Sequence, residues 1–333
     1  MTRWKHDWLR DSRNPLLRPG PDGFDSVCCM NPHVVRRGDE YWLFYAGGDA
    51  AGARRICLAT AKADRLDAWT KHGPVLELGG EGDFDASWCV LPCLLKIGSA
   101  WHLYYTGRNL ALGPGLQSFT GIGLAVSDDL VTWTKHPGGP VLRGDGFPDF
   151  PGNRGIAGGG NILALPQPDG DILYRMHFTL LTGTPNPDVK VDQAKLSAVA
   201  ESHDGIHWFN KRITLRPRPE ADYENVATTG LVVWREGDDW RAIYPAIGTQ
   251  FGAYSLCEAV SRDGEHWERG APGENLALPP QGDGWESAMT EYPSLIEEDG
   301  KLRLFYCGNG YGRTGIGTAL SDKSKVINPV LEP

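Results

Sequence analysis

The chain has 333 residues, of which 41% are hydrophobic and 23% charged, the composition of an ordinary globular protein. No apolar run approaches the ~18 residues of a membrane span, and a net charge of −9 lacks the basic footprint of a nucleic-acid binder. Seven cysteines, an odd number, and an N-terminus with no apolar stretch to serve as an export signal point to reduced thiols in a cytoplasm.

Taken in chain order, the elements repeat. After a strand-like Asn14–Leu17 comes a first unit, Pro32-His-Val-Val-Arg-Arg-Gly-Asp-Glu-Tyr-Trp-Leu-Phe-Tyr-Ala-Gly47. Its pattern, an apolar strand, a glycine-bearing hairpin turn and an aromatic-rich strand, returns from Pro92 to Gly107 and from Pro293 to Gly308. Looser copies begin at Asn161 and Gly230. A third strand follows and ends in a Ser-x-Asp turn, as in Ser127-Asp-Asp, Ser202-His-Asp-Gly and Ser261-Arg-Asp-Gly, where Asp can bond its own backbone. A fourth strand leaves from Trp, as in Thr70–Leu76 and Thr134–Leu142.

Five units of four short strands predict an all-β fold: a five-bladed β-propeller with four antiparallel strands per blade, the ring closed by a terminal strand. The blades run approximately over 24–77, 84–143, 150–216, 222–278 and 285–333, and the whole chain, 1–333, reads as one domain. Both Asn14–Leu17 and Asn328–Leu331 resemble the missing last strand. The long loops after Gly107 and around 182–194 fit a binding face.

The stretches before the first strands repeat too. Phe24-Asp25, Phe84-Asp85, Tyr223-Glu224 and Trp285-Glu286 each set an aromatic residue before a carboxylate. If the starts of the first strands gather round one pocket, Asp25, Asp85, Glu224 and Glu286 become candidate catalytic groups. Cleaving a glycosidic bond needs one carboxyl group protonated and another ionised, and burial and mutual repulsion push such pKa values apart. The same residues serve a structural role equally well, capping backbone N–H groups between blades. The third unit breaks the pattern with Asn153-Arg154, and its nearest acid is Asp149. Candidate substrate-binding residues are Asn31, Trp88, Arg108, Asp149, Arg154, Asn161, Trp285, Glu291 and Tyr292. His33 and His177 fit either an axial role or core packing, and Glu201 and Glu258 are unusual inside third strands. No cofactor is required, though oxygen ligands converging on the axis would suit calcium.

These units, Phe-Asp-Ser, Asn-Pro-His-Val-Val and Gly-Asp-Glu-Tyr-Trp-Leu-Phe-Tyr-Ala-Gly followed by Ser-x-Asp-Gly-x-x-Trp, resemble the five-bladed furanosidase-type propellers. Those are glycoside hydrolase families 32, 43, 68, 117 and 130 and their relatives. The resemblance implies a blade-one base or nucleophile, Asp25, and a blade-two tuning acid, Asp85. A general acid usually comes from a blade-three Glu, which this chain lacks, so Glu224, Glu286 or Asp149 would have to serve. The expected function is glycoside hydrolysis, or related glycosyl transfer, on a small carbohydrate, with neither nucleic acid nor membrane as partner. A phosphorylase would need a basic pocket, for which Arg108 and Arg154 are the candidates, and a non-catalytic sugar-binding propeller would keep the aromatics alone.

Overall fold

The computed structural model describes residues 4–113, 115–182 and 195–322, and the fold is all-β. After β1 (Leu9–Arg10), unit one is a meander of β2 (Cys28–Arg37), β3 (Glu40–Gly48), β4 (Arg54–Lys62) and β5 (Thr70–Leu76). Unit two repeats it with β6 (Trp88–Ile97), β7 (Ala100–Arg108), β8 (Phe119–Ser127) and β9 (Thr134–Lys135). A single parallel pair, Arg54 with Trp88, joins these two meanders into one sheet.

In units three and four the first strand is split. Unit three has β10 (Gly155–Ala157) and β11 (Ile162–Pro166), both paired to β12 (Ile172–Leu181), then β13 (Lys195–Ser202) and β14 (Phe209–Leu215). Unit four has β15 (Ala227–Thr228) and β16 (Val232–Glu236) on β17 (Asp239–Ile247), then β18 (Tyr254–Ser261) and β19 (Leu276–Leu278). Unit five has β20 (Glu291–Glu298), β21 (Lys301–Cys307) and β22 (Ile316–Asp322), and its outer strand is β1 from the N-terminus.

The last-strand expectation needs adjusting. Leu9–Arg10 pairs with β22, and only Leu17 of the expected segment makes a bridge, to Ile316. Pro15 has no N–H to give a ladder, and the Asn14 side chain bonds both the N–H and the C=O of Thr318 in place of backbone. The other expected segment, Asn328–Leu331, lies outside the described residues.

The core lies between sheets, because the second strand of each unit is buried along most of its length. Phe44 of β3 meets Trp133, Tyr104 of β7 meets Trp208, and Phe305 of β21 meets Tyr41 of β3 at 5.7 Å between ring centres. The Ser-x-Asp turns behave as expected. In all three, one Asp oxygen accepts two successive N–H groups and the Ser hydroxyl bonds the Asp. The odd third-strand acids are also accounted for. Glu201 takes Arg175, Arg212 and Asn210, and Glu258 takes the N-terminal His6 and Trp8.

Backbone packs closest where glycines meet. A Cβ on Gly160 would lie 2.5 Å from the carbonyl oxygens of both His177 and Leu231. At Gly160 this close approach requires a glycine, and Gly159 beside it is left-handed at φ 99°.

Candidate functional site

Three first strands carry the same irregularity. Asn31, Leu91 and Tyr292, each directly before a proline, adopt left-handed φ values of 56°, 55° and 54°. Such values are costly for residues with a Cβ and persist only where surroundings impose them. Each sits in a β-bulge, where the pairing register slips by a residue. All three line both a narrow channel of about 180 Å³ and an adjoining cavity of about 320 Å³.

The cavity wall is built at two levels. The first strands supply Asn31 and Tyr292. The starts of third strands supply Arg54 of β4, Phe119 of β8, Lys195 of β13 and Tyr254 of β18. Trp88 and Arg108 come from unit two, and Tyr311 from a turn in which Gly310, Tyr311 and Gly312 are all left-handed. Gly115 and Leu116 also line it, which puts one expected long loop at the cavity. The other, 183–194, lies outside the described residues.

Next to Tyr292 in the chain, and within electrostatic reach of Lys195, Tyr254 and Tyr311 of the wall, Glu291 is fully buried, with neither carboxyl oxygen hydrogen-bonded. Its counterparts in units one and two, Met30 and Val90, line the cavity directly. The rings of Tyr292 and Tyr311 pack on Tyr254, at 6.3 Å between centres in each pair. Burial pushes the Glu291 carboxyl well above the usual carboxylate range, against the pull of the Lys195 ammonium. Burial likewise lowers Lys195 to about 8, and Lys195 bonds the Tyr254 hydroxyl. Arg108 falls to about 10 through burial and the like charge of Arg54. The site therefore sets a buried carboxyl group, pushed toward its protonated form, behind the wall of a basic, aromatic chamber.

Asp25, Asp85, Glu224 and Glu286 do not converge there, which corrects the expectation of a shared pocket. Each is buried within its own unit, and none lines the channel or the cavity. Each accepts from a tyrosine twenty residues further on: Tyr45 at 2.8 Å, Tyr105 at 2.9 Å, Tyr244 at 2.7 Å and Tyr306 at 2.8 Å. Each also meets a cation from the outer part of the unit: Lys71 at 2.5 Å, Lys135 at 2.6 Å, Arg269 at 3.3 Å and Arg10 at 2.9 Å. In unit three the residue matching those tyrosines is Phe178, packed on Phe147, so acid and tyrosine are missing together.

Of the expected substrate-binding residues, Asn31, Trp88, Arg108 and Tyr292 line the cavity and Glu291 is buried behind its wall. Asn161 lines the channel, but its amide is used in bonding Val233 on β16. Asp149 pairs with Arg216 on the surface, and Arg154 lines separate outer cavities. Trp285 packs against Tyr306, away from the cavity. His33 lines the channel and His177 is buried, and burial lowers them to about 4 and about 3. The channel lining carries no carboxylate, and among the described residues no group of three His, Cys, Asp or Glu side chains could hold a metal. Calcium would find few charged ligands there. Arg54, Lys195, Tyr254 and Tyr311 escaped the sequence reading; their shared signal is position, at or just before the start of a third strand.

No family model matches the chain. Two Mycobacterium tuberculosis proteins, the uncharacterized MT1551 and Rv1502, are each 27% identical over 292 residues, covering 85% of this chain and 88% of theirs. Among solved structures, a glycosyl hydrolase from Bacteroides ovatus superposes with a TM-score of 0.70 at 16% identity, over 95% of this chain and 94% of its own. A structure from work on the GH130 family of mannoside phosphorylases, which contains hydrolases of β-1,2 mannosidic linkages, gives 0.69 at 15% identity, covering 97% and 96%. The catalytic domain of a Coprinopsis cinerea GH62 α-L-arabinofuranosidase gives 0.64 at 12%, covering 96% and 97%. What these likenesses establish is a fold shared with solved propeller glycoside hydrolases.

Proposed function

We propose that the chain is a glycoside-acting enzyme: one five-bladed propeller, closed by Leu9–Arg10, whose active pocket is the central cavity. The first strands of neighbouring units touch in cyclic order, as in Asn31 with Leu91, Asn161 with Leu231 and Ser294 with Val34, which supports the ring. Seven free, buried cysteines support the cytoplasmic reading.

The observation that carries the function is Glu291, a carboxyl group pushed toward its protonated form by burial behind the wall of a chamber lined by Trp88, Phe119 and tyrosines. A general acid must hold its proton at neutral pH and give it to the leaving glycosidic oxygen as the anomeric C–O bond breaks. The carboxylate so formed gains the Lys195 ammonium as a neighbour. A water or phosphate oxygen then bonds the anomeric carbon; water releases its proton to solvent, and Glu291 recovers one from there. The aromatic side chains of the wall add apolar contact area for a sugar ring. Asp25, Asp85, Glu224 and Glu286 act in this reading as pins that tie the approach to each first strand to the second and outer strands.

One observation favours a second reading, a sugar-binding propeller without catalysis: Glu291 has no exposed surface. The test is turnover of a panel of aryl furanosides and pyranosides, with and without phosphate, by wild type, Glu291→Gln and Asp85→Asn. Turnover by wild type and Asp85→Asn, lost in Glu291→Gln, upholds the enzyme reading. Sugar binding without turnover replaces it with the second.

A further inference from the structure

The chain is acidic overall, yet the cavity lining contains three cations and no carboxylate. Among the described residues, Arg54, Arg108 and Lys195 take part in no ion pair within 4.0 Å. Glu291, the one buried acid nearby, does not line the cavity and makes no ion pair with any of them. Two guanidinium groups also lie over one ring: Arg54 at 3.8 Å and Arg108 at 4.1 Å from the centre of Trp88. Arg108 is fixed further by Ser118 Oγ at 2.7 Å and the Gly115 carbonyl at 3.3 Å. Holding like charges together at a half-buried site costs free energy, which cation–π contact with Trp88 offsets only in part. The buried amide Nδ2 of Asn31, a donor with no partner, belongs to the same wall. Preorganised cations without a counter-ion are what an anion requires, and guanidinium forks match carboxylate and phosphate oxygens two at a time.

We propose that Arg54, Arg108 and Lys195 form an oxyanion subsite within the cavity, which takes a carboxylate or phosphate group. The group arrives either on the sugar, as in a uronate or sugar phosphate, or as free inorganic phosphate. The subsite deepens the glycoside reading, since it makes the substrate or co-substrate anionic, and it rests on the cavity being the active pocket.

The test measures binding, so it does not depend on turnover. Calorimetry and Trp fluorescence follow titration of the full chain with inorganic phosphate, glucuronic acid, glucose 1-phosphate and, as neutral control, glucose. At least one anion binds tenfold or more tighter than glucose; added salt weakens it, and Arg54→Ala and Arg108→Ala each weaken it about tenfold or more. Phosphate binding alone identifies the free ion as source; uronate or sugar-phosphate binding with phosphate silent identifies a sugar-borne group. Arg108→Lys and Lys195→Gln, checked by near-UV circular dichroism, serve if an alanine variant fails to fold. Anions that bind no better than glucose, or equally well to folded variants, overturn the subsite. Anion binding without cleavage of any glycoside keeps the subsite and removes the enzyme reading; cleavage without anion binding does the reverse.

Discussion

Asp25 accepts a 2.8 Å hydrogen bond from Tyr45, twenty residues away, and the same interval recurs at Asp85–Tyr105, Glu224–Tyr244 and Glu286–Tyr306. Burial and the neighbouring carboxylates raise all four phenols well above their ordinary value, so each tyrosine stays a donor. A carboxylate held by a tyrosine and a cation has its lone pairs committed, whereas neither oxygen of Glu291 is hydrogen-bonded.

The pin reading predicts that Asp85→Asn loses stability and keeps function. Asparagine cannot pair with Lys135, and the buried site is left partly unsatisfied. The expected cost is about 1–3 kcal/mol in urea unfolding. On a glycoside that wild type cleaves, kcat/KM of the folded variant stays that of wild type. A large loss of kcat/KM with intact stability would return Asp85 to the catalytic set.

Glu291→Gln is expected to do the opposite. It keeps the neutral shape and removes the transferable proton, so kcat falls by about a hundredfold or more. Stability carries a second signature. The folded pKa of Glu291 lies above its unfolded value, so the folded state binds more protons and stability declines as pH rises above the unfolded value of about 4.5. Glutamine removes that decline. The variant should therefore melt above wild type at pH 8 and converge with it near pH 4. Parallel melting curves across this range would mean that Glu291 is ionised in the fold.

The repeat was legible because its markers are local: a proline within each strong first strand, a glycine at the hairpin, a Ser-x-Asp turn. The role of the repeated acids was not, since a pin and a catalytic set produce the same spacing from the first strand. The clue lay twenty residues downstream, where unit three has Phe178 for tyrosine just as it has no acid. Glu291, Tyr292, Asn31 and Trp88 were found from their place in the first strands, and Arg108, at the end of a second strand, as a candidate for a basic pocket. Arg54, Lys195 and Tyr254 were not, because which end of a third strand faces the axis depends on how sheets pack round it, a relation no local pattern encodes.

The N-terminal strap should be pH-sensitive. Buried His6 bonds Glu258 at 2.8 Å and Glu236 at 3.0 Å. Burial alone would lower its pKa, but the two carboxylates raise it to about 9. A raised folded pKa contributes stability that is full below the unfolded value of 6.5 and is lost as pH climbs through about 9. Over that window stability should fall by about 3 kcal/mol, and His6→Gln should flatten the profile while lowering stability at pH 6. An unchanged profile in the variant would show that another group governs the window.

The axis itself is predicted to tolerate no side chain at Gly160. Its Cβ would sit 2.5 Å from two carbonyl oxygens on different units, both backbone, so neither can swing aside as a flexible side chain would. Gly160→Ala must separate the first strands of units three and four or break the bonds from Asn161 N to Leu231 O and from His177 N to Asn161 O. Overpacking of this kind costs about 1–3 kcal/mol or more. Gly284→Ala is the control, since a Cβ there meets nothing within 4 Å and its backbone is not left-handed. Unfolding in urea should separate the two variants clearly. Equal midpoints would mean that the strands around the axis can part without cost, and the close packing that positions the bulges at Asn31, Leu91 and Tyr292 would then need another source.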